Sequence, residues 1–194
     1  MTAFVVGNGV SRRNIDIDQL IALGDVYGCN ALYRTHRPTV LVATDRAIAE
    51  EIQNTGYALH NRFYTRKPIE GKGAQRITER YYGFSSGPVA MAMAAMEGHA
   101  RVYLLGFDMG PESNGRFNNV YADTAFYRAS TNPPTFVGNW ARQMRSIAKD
   151  HVQCEFVRVF GPTTAEIAEL IDLRNMHRLD LTDFVARINK PKDL

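Results

Sequence analysis

Six short apolar runs separated by stretches of helical periodicity constrain this chain more than any other feature. The runs cover Ala3 to Val6, Val26 to Cys29, Val40 to Ala43, Ala58 to Phe63, Val102 to Gly106 and Glu155 to Phe160. Continuous apolar runs of this length read as strands buried on both faces, and their alternation with helices gives a mainly parallel sheet. The helices expected between them are Asp18 to Leu23, ended by Gly24, and Arg46 to Asn54, ended by Gly56. A third starts near Gly87 and Pro88 with Ser86 as its cap and runs through "VAMAMAAMEG" to Gly98. That helix is apolar almost all round, which places it against the sheet and makes Met91, Met93 and Met96 packing residues. Val137 to Lys149, Thr163 to Ile171 and Leu181 to Ile188 read as further helices. The fold class expected is α/β, Rossmann-like, with helices on both faces of the sheet.

A chain of 194 residues, 45% of them hydrophobic, suffices for one buried core, so residues 1–194 are expected to form a single domain. The polar stretch from Asp108 to Thr135 is too long for an ordinary connection and reads as a lid-like loop. The net charge of +3 comes from 23 Lys and Arg dispersed among 20 Asp and Glu. Without a basic run, the pattern favours a small anionic ligand over a nucleic-acid tract. Cys29 and Cys154 stand far apart in apolar surroundings and read as buried thiols. The five histidines have no metal-ligand spacing and read mostly as solvent-facing. No apolar run approaches the roughly 20 residues of a membrane span. No leader pattern is evident at the N-terminus, so a cytoplasmic location is the default expectation.

Ligands of such sheets bind beyond the carboxyl ends of the strands, where turns and helix N-termini present N–H groups. The residues there are Gly7, Asn8, Gly9, Ser11, Arg12 and Arg13 after the first strand, and Asn30 after the second. Thr44 and Asp45 follow the third, Gly106 and Asp108 the fifth, and Gly161, Thr163 and Thr164 the sixth. Ser85, Ser86 and Gly87 open the apolar helix. Small, hydroxylated and amide residues of this kind suit a sugar and its phosphates. Two familiar motifs are excluded: no Gly-Lys-Ser/Thr end completes a P-loop, and the dinucleotide fingerprint lacks its third glycine and its acid after the second strand. Asp45 reads equally as the cap of the helix that follows it, and Asp108 as a carboxylate that orders its own loop.

The order of "VVGNGVSRRNIDIDQL", "VYGCNALY", "YGFSSGPVAMAMAAMEGHARVYLLGFDM" and "VYAD" resembles the bacterial lipooligosaccharide sialyltransferases of the Campylobacter type. The resemblance spans roughly residues 3 to 171 and extends to "VFGPTT" in the last turn. It implies that Asn8, Gly9 and Ser11 hold phosphate and ribose, that Asn30 approaches the nucleotide, and that Ser86 and Gly87 present a helix N-terminus. It further implies that Thr163 and Thr164 lie near the base and that Tyr121 stabilises the departing phosphate of a CMP-type donor. The chain departs from the family in two places: its second phosphate tyrosine is Gly110 here, and "PPTFVGNWARQ" carries no histidine base. Asp45, Asp108 and Asp123 are then the candidates for the acceptor's proton.

A related resemblance is to hydroxymethyl-pterin pyrophosphokinase-like proteins, which place an aspartate where Asp45 stands. It implies transfer from ATP with Mg²⁺ held by Asp45 or Asp108. A third reading is a nucleotide-binding protein that keeps the cradle without the chemistry. The partners expected are thus a nucleotide or nucleotide sugar and a small-molecule or glycan acceptor. A homo-oligomer is compatible with the sequence.

Overall fold

The computed structural model describes residues 1–190 and 192. Eight strands form one sheet: β1 (Thr2–Val6), β2 (Asp25–Cys29), β3 (Val40–Ala43), β4 (Phe63–Thr65), β5 (Gln75–Arg76), β6 (Arg101–Leu105), β7 (Glu155–Phe160) and β8 (Met176–Asp180). Their order is β5-β4-β3-β2-β1-β6-β7-β8, and each neighbouring pair is parallel. The sheet therefore grows outward from β1 in one direction and, after β5, from β1 in the other. The carboxyl ends of β1 and β6 flank the point where the order reverses, which is where open α/β sheets form their crevice.

Alternation along the strands explains why the runs are apolar throughout. On β1, Ala3 and Val5 face one core while Phe4 and Val6 face the other. The first core is closed by α3 (Ser86–Met96) and α4 (Gly138–Asp150), the second by α1 (Ile17–Leu23), α2 (Arg46–Asn54) and α6 (Leu181–Ile188). The fold is thus the expected α/β, Rossmann-like arrangement with helices on both faces. In α3, the residues from Pro88 to Ala95 are all buried, so the helix is apolar all round because it is enclosed all round.

Several boundaries differ from the sequence expectation. Ala58 to Phe63 is not a strand: Tyr57–Leu59 forms a 3-10 turn, and β4 begins at Phe63. The cap of α3 is Ser85, with Ser86 the first helical residue. Asp45 occupies the N-cap position of α2 but makes no capping hydrogen bond through its side chain. The helix expected from Thr163 shrinks to α5 (Ala168–Ile171) because the residues before it turn back toward the end of β6. β5 and β8, the two edge strands, lie outside the six runs the sequence marks. His99 is buried, with Nε2 3.1 Å from the Tyr27 hydroxyl and 3.3 Å from Asp25, whereas His60 and His177 are exposed. Both cysteines are free and buried. Among the described residues, no helix is long and apolar enough to cross a membrane.

Candidate functional site

The turn after β1 is built against the end of β6. Gly7 N–H donates to Leu105 O, and Gly9 N–H to Gly106 O, both at 2.8 Å. The backbones approach so closely that a Cβ on Gly7 would stand 2.7 Å from Gly106 O. A Cβ on Gly9 would lie 2.4 Å from the Asp108 carboxyl carbon. Both glycines are thus required by packing between the two strand ends, whatever ligand lies above them. Arg12 turns inward and is buried. Its Nε donates to Gly7 O at 2.6 Å and its Nη2 to the Tyr121 hydroxyl at 3.1 Å. Arg13 stays exposed.

Asp108 ties three segments together. Its Oδ2 accepts from Ser11 N at 3.0 Å and from Thr163 Oγ1 at 2.7 Å. Its Oδ1 accepts from Ser11 Oγ and, at 3.4 Å, from Thr164 Oγ1. Only 3% of the residue is exposed, so this carboxylate is spent on its neighbours. The contacts of Ser11, Thr163 and Thr164 accordingly serve Asp108. Nearby, Arg158 is buried against Phe160, its ring 4.7 Å from the guanidinium carbon, and donates to Phe107 O and Ala165 O. Burial lowers the Arg158 pKa to about 10.

A cavity of about 370 Å³ opens above this knot. Its floor comes from the Gly7-Asn8-Gly9 turn, Asn30 and the first turn of α3. Ser86 Oγ accepts from Thr44 N at 3.0 Å and donates to Asn30 Oδ1 at 2.9 Å, which holds Asn30 in the left-handed conformation with φ +51°. Ser86 and Gly87 therefore bring their first-turn N–H groups, which have no carbonyl within the helix to bond, to the cavity wall. Two cations line it: Arg66, anchored by hydrogen bonds to Tyr82 O and Phe84 O at 2.9 Å, and Arg128, stacked 5.3 Å over Phe117. Two carboxylates line it as well, the committed Asp108 and the exposed Asp45.

The stretch from Asp108 to Thr135 has no helix or strand and forms the roof. It is pinned to the turn after β1: Val120 N donates to Asn8 O and Val10 N to Asn118 Oδ1, each at 2.8 Å. The Tyr127 hydroxyl accepts from Ala31 N at 3.2 Å and from Asn8 Nδ2 at 3.4 Å. Asn8 Oδ1 is buried without a partner. Turning the amide over would only move the vacancy to the nitrogen, so one end of Asn8 stays unsatisfied in either orientation.

Of the residues expected at the site, Asn8, Gly9, Asn30, Asp45, Ser86, Gly87 and Asp108 share the cavity. Ser11, Thr163, Thr164 and Tyr121 lie outside its wall; Tyr121 packs against Tyr127, ring centroids 5.4 Å apart, which lines the cavity in its place. Arg66, Arg128, Tyr127 and Phe126 carry no sequence signal for the site, and Trp140, which its amphipathic helix marks as a core residue, packs against the core and lines the cavity as well. Cys29 also lines the cavity, but burial pushes its thiol up to about 12, against the weaker opposing pull of Arg12, which leaves it a poor nucleophile. Among the described residues, no three His, Cys, Asp or Glu side chains group as a metal cluster. Mg²⁺ is commonly held by one or two carboxylates plus substrate phosphates, and Asp45 is the cavity carboxylate available for that role. No family model, curated protein or solved structure matches the chain.

Proposed function

We propose that the chain is a nucleotide-sugar-dependent transferase and that its cavity takes the donor. The observation that carries this reading is the first turn of α3 opening on the cavity at the reversal of strand order. Helix N-termini favour phosphate through free N–H groups and the helix dipole. The phosphate sits at Ser86 and Gly87, and Arg128 in the roof of the same cavity supplies a positive charge.

In the transfer step, an acceptor hydroxyl attacks the donor sugar's anomeric carbon while that carbon's bond to the phosphate oxygen breaks. The electron pair leaves with the nucleoside phosphate, whose growing charge the α3 N–H groups stabilise. The hydroxyl proton goes to Asp45, the cavity carboxylate not committed to neighbouring donors. The test is thermal unfolding with CMP- and UDP-sugars, with and without Mg²⁺, followed by product assays of wild type and Asp45→Asn. The expected result is a rise in Tm with a nucleotide sugar, and a kcat lowered at least about 100-fold in D45N with donor affinity retained. No shift at millimolar donor would refute the reading. Binding of ATP only with Mg²⁺, abolished in D45N, would replace it with the pyrophosphokinase-like one.

A further inference from the structure

Phe126 stands in a backbone conformation that its side chain does not favour, at φ +69°. It is the third residue of a turn closed by Tyr127 N–H donating to Thr124 O at 3.0 Å, a place that glycine or asparagine ordinarily fills. The other non-glycine residues with positive φ have local explanations. Asn30 is bonded to Ser86, Asp123 accepts from Ser130 N at 2.9 Å, and Met109 is packed in the core. Phe126 has no such compensation, for it is 56% exposed. Its turn is nevertheless held firmly, since the next residue, Tyr127, is anchored to Ala31 N. Phe126 belongs to the cavity wall, whose floor is polar at Asn8, Ser86 and Gly87.

A bulky aromatic in a strained turn, uncovered and beside a cavity, fits a ligand with one polar end and one flat apolar end. We propose that Phe126 is the platform on which the base of the bound nucleotide stacks, with the sugar and phosphate directed to the floor. This inference rests on the nucleotide reading above and adds what distinguishes a nucleotide from a bare sugar phosphate.

Trp140, the single tryptophan, lines the same cavity with its indole N–H donating to Ser85 Oγ at 3.1 Å, so its fluorescence is the signal to follow in a titration. Wild type, Phe126→Leu and Phe126→Tyr would be titrated with CMP, UMP, AMP, GMP and ribose 5-phosphate, after circular dichroism confirms equal folding. F126L removes the flat ring but keeps the apolar bulk, and F126Y keeps the ring. The expected result is nucleotide affinity about tenfold weaker in F126L and retained in F126Y, with ribose 5-phosphate unaffected by either. Equal nucleotide affinity in wild type and F126L would overturn the stacking role alone, as would an equal loss for ribose 5-phosphate. A wild-type protein that binds none of the four nucleotides would overturn the nucleotide reading and this inference with it.

Discussion

Asp108 gives the sharpest test of structure against chemistry, because its residue type suggests a catalytic acid while its contacts describe a tie. Three donors bond to it directly, Ser11 N, Ser11 Oγ and Thr163 Oγ1, whereas Thr164 at 3.4 Å is peripheral. At roughly 1 kcal/mol net for each of the three, Asp108→Ala costs about 3 kcal/mol. For a chain of this length each kcal/mol moves Tm by about 2–4 °C, so the fall is roughly 6–12 °C. Asp108→Asn is milder for a specific reason. The backbone N–H of Ser11 cannot reverse, so the amide oxygen must take the Oδ2 position and the NH₂ the Oδ1 position. There it meets the hydroxyls of Ser11 and Thr164, which can rotate to accept. The loss for D108N is then about 1 kcal/mol. Urea unfolding of the three proteins, checked by calorimetry, measures both differences. D108A within about 1 kcal/mol of wild type, or D108N as damaging as D108A, would refute the tie.

Two other predictions follow from the packing and the charges. Gly7→Ala sets a Cβ 2.7 Å from Gly106 O, between backbones that are themselves hydrogen-bonded, and should destabilise by about 1–3 kcal/mol, while Gly83→Ala, with open space around it, should be neutral; equal urea midpoints for the two would contradict the close approach. Burial lowers the His151 pKa, Asp150 opposing this and Arg80 adding to it, while Nε2 lies 2.9 Å from the Tyr81 hydroxyl. The unfolded chain therefore takes up the proton first, so stability is lost as pH falls through the ordinary histidine value of 6.5. The drop in urea midpoint between about pH 7.5 and about pH 5.5 should be smaller in His151→Gln than in wild type, and an equal drop would contradict the assignment.

The parts of the fold legible in the sequence are those where burial alone sets the residue pattern. β3, β7, α2 and α6 begin and end where periodicity places them, because a strand covered on both faces is a plain apolar run and an amphipathic helix carries a stripe. The edges were illegible for the same reason. β8 buries only Met176 and Leu179, with exposed His177 and Arg178 between them, and β5 is two exposed residues, so neither offers an apolar run. The roof residues Tyr127, Arg128 and Phe126 sit in a stretch without periodicity, where nothing local distinguishes them from Tyr121.

Apolar runs alternating with helical stripes are written in the order of the residues, and they make this a parallel α/β protein with its polar turns at the strand ends. What each of those turns does depends on which strands become neighbours. Whether Asp108 is free or spent depends on Ser11 and Thr163, which are distant in the chain and meet it only because β1, β6 and β7 lie side by side. Likewise, Arg12 faces inward because Gly7 O and Tyr121 await it, while its neighbour Arg13 faces solvent. Burial is a sum over local choices that a sequence displays, whereas hydrogen-bond commitment is a relation between distant residues that appears only when the strand order is set.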